Sequence, residues 1–347
     1  MDMARVFKGS SPTAITVVKP AEPNKIGWIY RCHIVPPILD KGVSSDGSGQ
    51  VKVVIMPEIQ TGNGAHTICS HGKKLARDHS NEWMVLILLA SMDLFLNIIE
   101  PFHRYVGEEM MVDMKYPFKE KDTIPMYAVP SYAVVLPCVV FYMYYLHRKD
   151  VYDLHHAMLG LFYSVLLTAV ITDSIKDATG RPRPNFFYRC FPDGKSAFKE
   201  NGDVLCHGDP LIIKEGYKSF PSGHTSWSFA GLGFLAWYLC GKLRTFDNKG
   251  HISSLCIVVS PYLFAALVGL SRVDDYWHHW TDVFTGAIIG TTVAAFCYLQ
   301  FFPFPNHENG WAPHAHFHAM ECEHSGHTEM TNVRSNDLEG QGGETIH

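Results

Sequence analysis

"KSFPSGHTSWSFAGLGFLAWYL", residues 218–239, decides how the chain is read. From Thr225 onward the stretch is apolar and aromatic and carries no charge, as a membrane helix does. Just before it stand Pro221, Ser222, Gly223 and His224, a turn rich in hydrogen-bonding groups. The start of a helix offers unpaired backbone N–H groups and the positive end of the helix dipole, which together suit an anion. Gly223 has no Cβ, so a ligand can come close to the backbone there. A histidine beside a bound anion is placed to give it a proton. Alone, the tetrapeptide also reads as a plain helix-start turn.

Working outward, five more apolar runs flank this one: Trp83–Ile99, Ile124–Leu146, Leu154–Thr172, Ile252–Leu270 and Val283–Phe304, with Thr225–Cys240 as the fourth in order. A spanning helix needs about 20 residues. Hydrophobic residues make up 47% of the 347-residue chain and charged ones 18%, against the ~25% charged usual in soluble proteins. The expected fold is therefore all-α, an integral-membrane bundle of six transmembrane helices over residues 81–304. Pro125, Pro130, Pro137 and Pro261 fall within runs, which a bundle tolerates because neighbouring helices re-satisfy the freed carbonyls. Gly286 and Gly290 form a GxxxG, read as close packing within the bundle, with a dimer face as the alternative. Residues 1–80 are polar and mixed, an N-terminal tail expected to be largely disordered and cytoplasmic; no secretory signal peptide is evident. Residues 305–347 are a polar tail with His307, His314, His316, His318, Cys322, His324 and His327; their spacing fits no zinc pattern, so this segment too is expected to be disordered.

Of nine cysteines, Cys138, Cys240, Cys256 and Cys297 lie in apolar runs and read as small core residues. Cys190 and Cys206 share a polar loop and are candidates for a disulfide if that loop faces an oxidising compartment. The net charge of -5 argues against a nucleic-acid partner. Short loops on the side of both termini hold Lys73, Lys74, Arg77, Arg148, Lys149, Lys242, Arg244 and Lys249. The first loop on the other side is rich in Glu and Asp. The positive-inside rule then puts both tails in the cytoplasm and the loops after helices one, three and five outside or in a lumen. The plasma membrane, the endoplasmic reticulum and a plastid membrane all remain open.

Three polar clusters converge on that outer face. "DSIKDATGRPRPNF" gives Lys176, Arg181 and Arg183; the turn above gives Ser222, Gly223 and His224; "LSRVDDYWHHWTD" gives Ser271, Arg272, His278, His279 and Asp282. Lys176, Arg183 and Arg272 supply fixed positive charge, and Arg forks match phosphate oxygens. His278 and Asp282 are four apart and share a helical face; an Asp bonded to one imidazole nitrogen leaves the other as a nucleophile or base. No carboxylate cluster of the kind that holds Mg²⁺ is present in the sequence. The implied chemistry is phosphoryl transfer through a phosphohistidine, with no cofactor or metal. Asp93, Asn97 and Glu100 share a face of the first span; charge inside a membrane is a functional hint, and a structural network is at least as good a reading.

"KDATGRPRP" reads as K-x6-R-P, "PSGH" stands whole, and "SRVDDYWHHWTD" reads as S-R-x5-H-x3-D. These motifs resemble those of the type 2 phosphatidic acid phosphatase superfamily, and "IIEPFHR", "RCFPDGK" and "FPSGHTSWSFAGL" look closest to plant lipid phosphate phosphatases. The resemblance implies His278 as nucleophile, Asp282 as its orienting partner and His224 as general acid. It implies Lys176, Arg183, Ser222, Gly223 and Arg272 as phosphate-binding residues, choosing Arg183 over Arg181 and His278 over His279. The expected function is hydrolysis of phosphatidate, and also of diacylglycerol diphosphate, in the membrane. An isoprenoid diphosphate or sphingoid phosphate is the alternative substrate. A non-catalytic lipid or anion transporter is the remote one.

Overall fold

A computed structural model describes residues 66–119, 121–246 and 252–321. Every element named among them is helical: α1 (Lys73–Asp78), α2 (Ser80–Ile98), α3 (Leu136–Arg148), α4 (Val151–Thr179), α5 (Phe186–Cys190), α6 (Pro210–Gly216), α7 (Gly223–Lys242), α8 (Ile252–Asp274) and α9 (Trp280–Phe301). Helical turns from Met126 run straight into α3, so that span covers Met126–Arg148. An isolated bridge, Phe198 to Val204, is the extent of β-pairing among the described residues.

Five of these segments are long and apolar enough to cross a membrane: α2, Met126–Arg148, α4, α8 and α9. The sixth expected span, α7, is 20 residues long but falls short of the hydropathy that the other five reach. The reason is its position at the centre of the bundle. His224, Thr225, Ser226 and Ser228 are all buried, as is most of the rest of the helix, so its solvent is protein, and inward hydroxyls find partners there. Thr172 Oγ1 donates to Ser226 Oγ at 2.9 Å, and Ser164 Oγ to the Ala230 carbonyl at 3.0 Å. The outer helices are the reverse: Leu88 and Leu94 on α2, Ile257 on α8 and Phe296 on α9 point away from the bundle and are exposed. Water would oppose that arrangement and lipid favours it.

The Gly286–Gly290 pair explains the tight α7–α9 contact. A Cβ at Gly290 would lie 2.3 Å from the Ser226 carbonyl oxygen, and one at Gly286 would lie 2.7 Å from that of Ser222. The GxxxG face is therefore occupied within the chain. Cys256 departs from expectation: it is exposed on α8 rather than in the core.

At the end of the bundle away from the polar clusters, Asp153 accepts from Tyr238 Oη at 2.6 Å and pairs with Lys242. Lys242 Nζ also donates to the Trp311 carbonyl, and His316 Nδ1 lies 2.7 Å from Asp150 Oδ2. Residues 305–321, read above as the start of an open tail, thus pack on the bundle. So do residues 66–79, where the Val151 N–H donates to the His66 carbonyl and Leu75 is buried. The rest of both tails, including Cys322, His324 and His327, lies outside the described residues.

On the opposite end a second small core forms from Val106, Met111, Phe186, Phe187, Phe191 and Tyr217. Cys190 and Cys206 are bonded within it, with Cα atoms 4.6 Å apart.

Candidate active site

Four helix ends meet under that small core. Lys176 comes from the last turn of α4, Ser222 is the N-cap of α7, Arg272 sits in the last turn of α8, and Asp282 in the first turn of α9. Arg183 and His278 come from the adjoining loops. Lys176, Arg183, Ser222, His224, Arg272, His278 and Asp282 are all buried. Charges are brought together out of water here, which protein structure tolerates only with close partners or for a function.

His278 is held by its Nδ1, 2.6 Å from the carbonyl oxygen of Ser219. A carbonyl only accepts, so Nδ1 carries the proton and Nε2 keeps its lone pair. That lone pair faces Arg183, whose Nη1 is 3.4 Å away. Burial pushes the His278 imidazole down to about 3, with the nearby Asp282 carboxylate pulling the other way, so the ring is neutral at neutral pH. The expected direct bond to Asp282 is looser than the sequence suggested: Nδ1 is 3.6 Å from Asp282 Oδ2. The tautomer is fixed by the Ser219 carbonyl, and Asp282 acts as a near counter-charge.

Asp282 is in turn densely bonded. Its Oδ1 accepts from Arg181 Nη1 at 2.5 Å, and its Oδ2 accepts from Ser219 Oγ at 2.6 Å and from the His279 N–H at 3.0 Å. Arg181 also donates to Thr281 Oγ1 at 2.8 Å. The two residues that the motif spacing set aside therefore have places: Arg181 and His279 hold the carboxylate. Ser219, which sequence reading gave no role, contacts both His278 and Asp282. The only hint it offered was its position at the edge of the opening stretch.

The cationic groups are positioned by neighbours. Lys176 Nζ is bonded to Asp173 Oδ1 at 3.0 Å, and Asn97 of α2 steadies the other oxygen of Asp173 at 3.1 Å. Asn97 thus ties α2 to the cluster, while Glu100 pairs with Lys214 farther out. A Cβ at Gly223 would lie 3.0 Å from Lys176 Nζ, so the ammonium sits directly over the glycine. Arg183 donates through Nε to the Glu215 carbonyl at 2.7 Å and lies over the Trp277 ring at 4.8 Å. Burial lowers its affinity for the proton, but a guanidinium still stays charged. Arg272, wholly buried, donates through Nε to Ser271 Oγ and through Nη2 to Asp275.

The turn itself is more committed than expected. The Ser222 N–H donates to the Asp282 carbonyl at 3.0 Å, which leaves the Gly223 and His224 amides at the helix start. Ser222 Oγ accepts from Thr225 Oγ1 at 3.0 Å and keeps its own hydrogen to donate. His224 Nε2 lies 3.1 Å from the Ile124 carbonyl. Nε2 is therefore the protonated nitrogen, and Nδ1 is the one free to exchange a proton.

The family model of the PAP2 superfamily matches residues 157–305, which contain all three clusters. A relative from Arabidopsis thaliana, "Probable lipid phosphate phosphatase 4", is 60% identical over 279 residues, 80% of this chain and 90% of its own length. "Lipid phosphate phosphatase 2" of the same organism is 59% identical over 82% of this chain and 99% of its own length. "Probable diacylglycerol pyrophosphate phosphatase 1" of Schizosaccharomyces pombe is 35% identical over 66% of this chain and 83% of its own length. No solved structure matches the chain. With a family model spanning the stretch that holds the buried cluster and relatives about 60% identical over four fifths of the chain, the chain belongs to the PAP2 superfamily.

Proposed function

We propose that the chain is a membrane lipid phosphatase that hydrolyses phosphatidate to diacylglycerol and phosphate, and diacylglycerol diphosphate to phosphatidate. The observation that carries this reading is the hydrogen bond from His278 Nδ1 to the Ser219 carbonyl, 2.6 Å. It aims an unprotonated Nε2 at the group of cations.

In this reading Lys176, Arg183, Arg272, Ser222 and the Gly223 and His224 amides hold the phosphoryl oxygens. Nε2 of His278 attacks phosphorus, forming a P–N bond as the P–O bond to the lipid alcohol breaks. His224 enters the cycle with a second proton on Nδ1, taken from a substrate bound as its monoanion, and gives that proton to the leaving oxygen. The phosphorylated ring is cationic, and the buried Asp282 carboxylate, 3.6 Å from Nδ1, stabilises it. Water, losing its proton to His224, then displaces His278 and releases phosphate. Charge on the transferring group is balanced by side chains throughout, so the scheme routes no step through a metal.

Placement supports a lipid. The 29 residues of α4 make a helix about 44 Å long at ~1.5 Å per residue, longer than the ~30 Å hydrocarbon core. Lys176 in its last turn then stands at head-group level, where a lipid phosphate lies without leaving the bilayer. The relatives named for lipid phosphates and for diacylglycerol pyrophosphate support both substrates. The loop charges support an outer or lumenal site with both tails cytoplasmic.

Phosphate release from phosphatidate in detergent micelles containing EDTA tests the reading. Turnover by the wild type and none by His278→Ala is expected. Turnover of a soluble phosphomonoester with none of phosphatidate would sink the lipid assignment.

A further inference from the structure

The loop ahead of α3 reaches the buried cluster with three consecutive residues, none of them in the three motifs. The Ile124 carbonyl faces His224 Nε2 at 3.1 Å. Thr123 donates its N–H and its hydroxyl to the two oxygens of Asp275, at 2.9 and 2.8 Å, and Asp275 holds Nη2 of Arg272 at 2.9 Å. Asp122 Oδ2 stands 3.4 Å from Nη1 of the same guanidinium.

Arg272 is fully buried, and its donors can be followed one by one. Nε goes to Ser271 and Nη2 to Asp275. Nη1 is buried and makes no hydrogen bond among the described residues; nor does Asp122 Oδ1. Buried donors of a guanidinium are costly to leave unpaired. Nη1 keeps both of its N–H groups uncommitted, whereas Nη2 has one left beside Asp275, so Nη1 is the nitrogen best able to hold a phosphoryl oxygen. It is also the nitrogen that Asp122 faces, at ion-pair range.

We propose that Asp122 sets the phosphate affinity of the site: its carboxylate competes with the phosphoryl group for Nη1 of Arg272. The inference rests on the phosphatase reading above. Three cations around a phosphate dianion, in a buried site, would hold the product too long for rapid turnover. A fixed negative charge beside one of them weakens that hold on substrate and product alike.

The test is inhibition by orthovanadate of phosphate release by the full-length protein in detergent micelles, for the wild type and Asp122→Asn. Removing one charge ~5 Å from a bound anion, at an effective dielectric of ~20, is expected to tighten vanadate binding on the order of a few hundredfold. Inorganic phosphate should tighten in parallel. Asp122→Glu keeps the charge and should stay near the wild type, while Asp122→Ser repeats the neutral test in a smaller side chain. Stabilisation against heat by vanadate reads the same affinity where a variant turns over too slowly. If Asp122 merely steadies Arg272, neutral variants loosen the guanidinium and bind vanadate more weakly. Equal or weaker binding in both, beside an active and vanadate-sensitive wild type, overturns this inference and leaves the phosphatase reading standing. A wild type with neither turnover nor vanadate sensitivity overturns both.

Discussion

Asp282→Asn is the most informative single substitution, because the structure leaves the amide no satisfactory orientation. The carboxylate accepts from Arg181 on Oδ1 and from Ser219 and His279 on Oδ2. With its NH₂ toward Arg181, the Asn sets a donor against a guanidinium donor. Turned over, it faces the His279 N–H, which also only donates; the Ser219 hydroxyl could rotate to accept, but the backbone amide cannot. Either way one strong bond is lost, worth about 1.5–3 kcal/mol when a charged group is involved. In the proposed mechanism the phosphorylated, cationic His278 also loses its counter-charge at 3.6 Å. Together about 3 kcal/mol of transition-state stabilisation should go, a fall in kcat of roughly 100-fold. The wild-type tautomer of His278 survives, since the Ser219 carbonyl sets it, so KM should change little. Phosphate release across a range of phosphatidate in mixed micelles measures both constants. An unchanged kcat, or a raised KM at constant kcat, would refute the role given to Asp282.

Three further outcomes are expected. Gly223→Ala places a methyl group 3.0 Å from Lys176 Nζ and should lower kcat/KM about tenfold, a loss of ~1.4 kcal/mol, with little effect on thermal unfolding. Arg181→Ala should lower kcat through Asp282 and leave vanadate affinity close to the wild-type value, whereas Arg183→Ala should weaken vanadate binding; kinetics with vanadate inhibition separates them. The His278 ring, held near 3 by burial, stays neutral in the folded chain while the unfolded one takes up a proton below ~6.5. Its contribution to stability is therefore lost as pH falls through that window, by about 2 kcal/mol between pH 6.5 and 5. Unfolding followed over that range should show a smaller loss in His278→Gln than in the wild type.

The spans were legible because apolar runs of that length with almost no charge have few other uses, and α7 was found despite having the lowest hydropathy of the six. Its sequence carried the reason in Thr225, Ser226 and Ser228, which are the inner face of a helix surrounded by protein. The buried cluster was legible in so far as its residues sit in local patterns: a Gly at a helix start, His and Asp four apart. What was not legible depends on pairs distant in sequence. Arg181 is 101 residues from Asp282, and Ser219 is 63. A spacing rule has no access to such contacts, so Arg181 looked idle and Ser219 invisible. The same holds for Asp122, whose partner is Arg272, and for Trp311, whose carbonyl meets Lys242. The docking of residues 305–321 was hidden by composition, since polar, His-bearing sequence can still pack when a buried Lys and the second oxygen of the capping Asp150 await it.

The central claim is a covalent bond between phosphorus and His278. Rapid mixing with phosphatidate labelled in its phosphate, followed by an alkaline quench and peptide mapping, tests it most directly. Label on the peptide containing His278, stable in base, labile in acid and absent from His278→Ala, is the expected result. Full turnover with no labelled enzyme at any mixing time, or label that persists in His278→Ala, would contradict the account.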